Sequence, residues 1–182
     1  MKRLLLGFIF LCFAVTSQAA ERNLFHMFED GGHVKVYLKA VTSNIEDKHV
    51  KVKIFEEIFK DALRDRLHLK FVPVDSAKEA DLVIAAKIKK YNFIEEAAPS
   101  FFGGTAAVVA DTTAPKSEAQ LVVNYVIMKP ESDRVISDFE NFGTTERRPR
   151  EDMKGEKAFE HAARKNANRF IYRAFRNQSD FD

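Results

Sequence analysis

Val50–Tyr91 reads VKVKIFEEIFKDALRDRLHLKFVPVDSAKEADLVIAAKIKKY, and the change of period inside it decides the fold. Val50, Ile54, Phe55, Ile58, Phe59, Ala62, Leu63 and Leu67 recur at spacings of three and four, which puts them on one face of a helix. Lys53, Glu56, Glu57, Lys60, Asp61, Arg64 and Asp65 fill the other face. The Glu56–Lys60 pair at i,i+4 adds only about 0.2–0.5 kcal/mol. Burying each large apolar side chain adds about 1.5–3 kcal/mol, so the stripe dominates and the charges are a solvated face. Ser43, Asn44 and Asp47 are candidate N-caps, because short polar side chains accept from the free N–H groups of a first turn. Leu69 and Phe71 then alternate with Lys70 and Val72, and Pro73 places this short strand at a sheet edge. After the turn Asp75–Glu79, residues Leu82, Ile84, Ala86 and Ile88 share one strand face, with Val83 and Ala85 giving partial cover on the other. Tyr91, Phe93 and Ile94 extend that strand across a bulge.

Upstream, Val34, Val36, Leu38 and Ala40 alternate with His33, Lys35, Tyr37 and Lys39, the period of a half-buried strand. Residues 20–32 read either as an edge strand with a turn or as a flexible arm, given Asp30-Gly31-Gly32. Before them, Lys2 and Arg3, the apolar run Leu4–Val15 and Ser17-Gln18-Ala19 have the layout of an export signal, residues 1–19. The run is shorter than the about 20 residues that span a bilayer. Export to the periplasm is the expectation, against the alternative of an uncleaved anchor. Cys12, the single cysteine, lies inside that run with Ile9-Phe10-Leu11 before it and no lipobox. The exported domain, residues 33–176 with a tail 177–182, then folds on its core without disulfides. The chain has 29 Lys and Arg against 27 Asp and Glu, and Lys2 and Arg3 supply the excess. A formally neutral remainder removes the electrostatic basis for nucleic-acid binding.

Downstream, Ala119, Leu121, Val123, Tyr125 and Ile127 alternate with polar or smaller residues, and Lys129–Asp133 supplies a turn around Pro130. A return strand runs from Arg134 to about Thr144, and Glu146–Glu151 reads as a charged linker. A last helix starts near Glu156, with Ala158, Phe159, Ala162, Ala163, Ala167, Phe170, Ile171, Ala174 and Phe175 as its stripe. Its outer face gathers Arg164, Lys165, Arg169, Arg173 and Arg176. These cations complement a helix C-terminus without any ligand; a site for anionic headgroups or an acidic partner is the alternative. Between the sheet halves, residues 97–116 are apolar for a connection, with Phe101, Phe102, Val108 and Val109 around Gly103-Gly104. A loop folded on its own domain and a tip that touches a membrane or a partner protein both fit that composition.

No catalytic set can be assembled. His26, Glu29, Asp30 and His33 have the nearest thing to metal-ligand spacing, but no element converges them, and no metal or other cofactor is expected. Gly103-Gly104 lacks the lysine and serine of a phosphate loop. Asp81, at the start of a buried strand, reads as a bonding partner for local backbone N–H groups rather than as a general base.

The helix IFEEIFKDALRDRL (54–67), the strand start EADLVI (79–84) and the order strand, helix, short strand, long strand, hairpin, helix resemble the lipopolysaccharide-assembly lipoprotein (LptE-like) family. The resemblance covers roughly Val34–Phe175; related folds occur in other envelope proteins, including the amino-terminal domain of TolB-like proteins. It implies an α+β fold: a mixed, mainly antiparallel four- to five-stranded sheet with two amphipathic helices packed on one face. It also implies non-enzymatic work in the bacterial cell envelope, supporting outer-membrane assembly and contacting lipopolysaccharide. The missing lipobox departs from the family pattern, and no site residue carries over. The reading of the residues adds a binding surface made of Phe101, Phe102, Val108, Val109, Arg164, Lys165, Arg169 and Arg173. Its expected partner is an outer-membrane protein or lipopolysaccharide, with peripheral membrane contact through 97–116. The alternative is a soluble periplasmic module that binds lipid or another small ligand.

Overall fold

Ten residues of alternating Val34–Ser43 make strand β1, and the structure, a computed structural model, describes residues 24–28, 33–65, 70–95 and 116–176. The signal segment 1–19, the tail 177–182, Leu67, Leu69, Glu29 and Asp30 lie outside the described residues, as do Phe101, Phe102, Val108 and Val109. After β1 come α1 (Val52–Arg64), β2 (Phe71–Val74), β3 (Leu82–Glu95), β4 (Lys116–Met128), β5 (Val135–Pro149) and α2 (Glu156–Phe175). The five strands form one sheet in the order β2-β1-β3-β4-β5. β1 runs parallel to β2 and β3, and β3–β4 and β4–β5 are antiparallel. The fold is therefore α+β with a mixed sheet, and Pro73 falls on an edge strand, where a missing N–H costs no ladder bond.

Both helices cover the same sheet face. α1 buries Phe55, Ile58, Phe59, Ala62 and Leu63. α2 lays down Phe159, Phe170, Ile171 and Phe175 among five buried alanines, whose small side chains let it approach α1 and β4 closely. The sheet answers with Ala119, Leu121, Val123, Tyr125 and Ile127 of β4, all fully buried. Tyr125 stacks on Phe170 with ring centroids 3.8 Å apart, and Phe59 sits 5.9 Å from each.

One polar side chain is sealed into this apolar layer. Asn166 of α2 is fully buried, and its Oδ1 accepts from the Tyr125 hydroxyl at 2.6 Å. Its amide lies within 3.0 Å of the Phe142 carbonyl, 3.1 Å of Thr144 Oγ1 and 3.3 Å of the Leu121 carbonyl. Two amide hydrogens serve three acceptors, so one hydrogen is shared.

Three strands carry extra residues that shift their faces. In β1, Lys39 and Ala40 stand against Ala85 alone, so Ala40 is exposed and Val41 takes its expected core place. In β3 the register slips between Ile88 and Lys90, which turns Tyr91 inward to meet Phe159 at 5.5 Å. In β5, Glu140 and Asn141 stand against Asn124, so Phe139 and Phe142 share the helix side although they are three apart. These are β-bulges, two residues opposite one, which increase local twist.

Several local expectations are corrected. α1 is capped at Lys51 with no side-chain bond. Ser43 Oγ and Asp47 Oδ1 instead accept from Ile45 N and His49 N, closing turns ahead of the helix. β5 continues through Glu146 to Pro149, so the charged linker shrinks to a 3-10 turn at Arg150–Asp152. Asp81 bonds backbone across the sheet rather than locally: Lys35 N donates to its Oδ2 at 2.7 Å, and Asp81 N donates to the Lys35 carbonyl at 2.8 Å. The described part of the N-terminal arm is a 3-10 turn, Phe25–Phe28. It is held by Leu24 N donating to the Ala174 carbonyl and by Phe28 against Phe71 and Phe175.

Candidate functional site: an arginine-lined cleft

The β5 bulge and the last two turns of α2 border a cleft of about 510 Å³, and its origin is local. Asn141 adopts φ 52, in the left-handed region that asparagine tolerates better than most residues. Its N–H donates to Asn124 Oδ1 at 2.9 Å, which pins the bulge to β4. The extra residue lets Glu140, Asn141, Phe142 and Gly143 form one wall. Arg169, Tyr172, Arg173 and Arg176 form the other; their i, i+3, i+4, i+7 spacing gives them one side of α2. Asn166 fixes the height of that side over β5, because it bonds Phe142 and Thr144 one turn before Arg169.

Two guanidinium groups lie over aromatic rings. Arg173 Cζ is 6.0 Å from the Phe142 centroid and Arg176 Cζ is 5.7 Å from that of Tyr172. Ring quadrupoles attract such cations. Tyr172 is 45% exposed, an aromatic surface open to a ligand. The lining has three arginines against one carboxylate, Glu140. Guanidinium forks match phosphate and carboxylate oxygens bidentately, so anion recognition is what this arrangement can do. It holds no nucleophile beside a base. Among the described residues, no group of His, Cys, Asp and Glu has the geometry of a metal site.

The expected basic face is thereby divided. Arg169 and Arg173 line the cleft. Lys165 Nζ instead pairs with Glu146 Oε2 at 2.9 Å, while Arg148 Nε donates to Glu146 Oε1 at 2.8 Å. Burial pushes the Glu146 carboxyl up, but these two hydrogen bonds and the charges behind them outweigh it and hold it below its ordinary range. Arg164 is exposed and stands outside the cleft lining. Phe101, Phe102, Val108 and Val109 lie outside the described residues. Sequence reasoning missed Tyr172 and the entire β5 wall. The arginine spacing was a usable signal; the bulge was not.

A second hollow, about 710 Å³, opens at the other end of the sheet between the N-terminal turn and the β4–β5 turn. Leu24, Met27, Leu82 and Ile136 give it apolar walls, with His26, Asp81 and Glu131 at its margin.

No family model matches the sequence, and no curated protein matches it. Solved structures are similar in fold at low identity. The PelC dodecamer from Paraburkholderia phytofirmans is 12% identical with a TM-score of 0.47, covering 79% of this chain and 90% of that one. XCC0632 from Xanthomonas campestris is 12% identical with a TM-score of 0.44, covering 77% and 82%. A minor lipoprotein from Acinetobacter baumannii is 9% identical with a TM-score of 0.39, covering 75% and 87%. Likenesses at this level fix no function for this chain.

Proposed function

We propose that this chain is a non-enzymatic cell-envelope protein that docks on a phosphorylated outer-membrane component, lipopolysaccharide foremost, through the arginine cleft. The observation that carries the reading is three arginines of α2, two of them within cation–π distance of aromatic rings, facing a bulged edge strand. The export-type segment at residues 1–19 and the LptE-like order of elements support the envelope setting and a part in lipopolysaccharide assembly. The apolar segment 97–116 is a second contact, with the membrane or an outer-membrane protein.

Capture on immobilised lipopolysaccharide tests the cleft. The Arg169→Glu, Arg173→Glu pair is expected to weaken capture at least tenfold, while Arg164→Glu, outside the cleft, leaves it near wild type. Enzymatically dephosphorylated lipopolysaccharide is expected to bind the wild type as poorly as the pair binds the intact ligand. Undiminished capture by the pair would remove the cleft from the mechanism. Deleting residues 98–114 is expected to reduce membrane association and crosslinking to partners in intact cells.

The apolar walls of the second hollow favour one other reading, a soluble periplasmic module for lipid or another small ligand. An Ile136→Glu variant that loses bound lipid on extraction, with lipopolysaccharide capture intact, would favour it.

A further inference from the structure

Both helices lie on one face of the sheet, and among the described residues no helix or strand packs on the other. That open face is built by alternate residues. β4 supplies Val122, Asn124 and Val126 along its centre, all half-buried. On one side stand Lys87 and Lys90 of β3, and on the other Asp138 and Glu140 of β5. The register puts Lys87, Asn124 and the Glu140–Asn141 bulge in one cross-strand row.

The face is thus an apolar stripe between a basic and an acidic margin. Neither Lys87 nor Glu140 makes an ion pair or side-chain hydrogen bond among the described residues. Asp138 and Glu140 are close enough that burial, with the Glu140 charge second, raises the Asp138 carboxyl above its ordinary range. Two like charges left side by side, with lysines two strands away, are what a complementary surface would relieve.

We infer that this face takes a second copy of the chain, the two sheets stacked about a two-fold axis that runs along β4. Such an axis exchanges the two margins and keeps each row at its level. Glu140 of each copy then meets Lys87 of the other, and Val122 and Val126 pack on their own equivalents, an isologous contact. Aligned sheets pack about 10 Å apart with strands within about 30°. Strands β3, β4 and β5 at about 4.8 Å spacing, over about six rows about 6.8 Å apart, give on the order of 600 Å² per copy, with β1 overhanging the β5 edge of the partner. That reaches the ~1,000 Å² in total that a specific interface needs. Glu140 also borders the arginine cleft, whereas Lys87 lies outside it, so the Lys87 variant separates this contact from the docking reading above.

Sedimentation equilibrium of the purified protein at high micromolar concentration provides the test. The wild type is expected at dimer mass. Glu140→Lys alone sets lysine against lysine, and Lys87→Glu alone sets glutamate against glutamate, so each variant is expected to sediment as a monomer. An equimolar mixture of the two pairs lysine with glutamate at both contacts and is expected to recover dimer mass. Recovery also shows that neither variant is misfolded. A monomeric wild type, single variants that stay dimeric, or a mixture that stays monomeric would each overturn the proposal.

Discussion

Asn166 is the residue at which α2, β4 and β5 are joined by buried hydrogen bonds. It joins α2 to β4 through Tyr125 and Leu121 and to β5 through Phe142 and Thr144, in a place where water does not reach. Asn166→Ala leaves the Tyr125 hydroxyl unpaired and a small void, and equilibrium unfolding in denaturant is expected to show a loss of about 2–4 kcal/mol. Tyr125→Phe removes one bond but keeps the ring stack, so its expected loss is smaller, about 1–2 kcal/mol. The hydroxyl also ties stability to alkali. Burial holds it protonated well above its ordinary 10.0, whereas in the unfolded chain it ionises near that value. The contribution of the protonated form is therefore complete below about pH 10 and falls as the pH rises beyond it. Tyr91, pushed to about 12 by burial and by the Asp47 charge, acts with the same sign. Tyr125→Phe should make the alkaline limb of a stability-against-pH curve shallower without flattening it. Sequence reasoning passed over Asn166, an amide in the i+4 place between Ala162 and Phe170 on an apolar stripe. Nothing in the sequence says which strands it would bond.

Periodicity described each element well wherever a strand or helix is regular. β4 alternates without interruption, and every core residue expected there is fully buried. α2 begins at Glu156 as its stripe implies. Alternation fails where a bulge inserts a residue, because one extra position moves all later side chains to the other face. That is why Ala40 is exposed and why Phe139 and Phe142 had no simple pattern. The β5 bulge depends on the left-handed backbone at Asn141. Asn141→Val, β-branched and poorly suited to that region, is expected to cost about 1–2 kcal/mol, while Asn141→Gly keeps the bulge; thermal melts of both check this. At the same edge, Glu146 is held ionised by Lys165 and Arg148. Its folded-state pKa is lowered, so its contribution is present above the unfolded carboxylate range and disappears as the pH falls through the folded value. Partly exposed cations screen the pair, so Glu146→Gln should cost only about 0.5–1 kcal/mol near neutral pH, and the difference should close in acid.

For the molecule as a whole, the sequence supports the layer type and the edge position of β2 but not the neighbours of each strand. The arginine cleft joins residues 140–143 to residues 169–176, and the open face joins β3 to β5 across β4. Both depend on strand order, which no local pattern contains. That order has another consequence. β1, α1, β2 and β3 form a unit tied by parallel ladders, while β4, β5 and α2 form a unit tied by a hairpin. The sheets of the two units meet in one ladder, β3 against β4, and the helices meet once, α1 against α2. Two separate polypeptides, severed between Glu95 and Lys116, should therefore find one another and restore the complete sheet. Co-expressed halves that co-purify with native-like amide spectra would show it, and halves that remain unfolded together would show that the tether itself guides assembly.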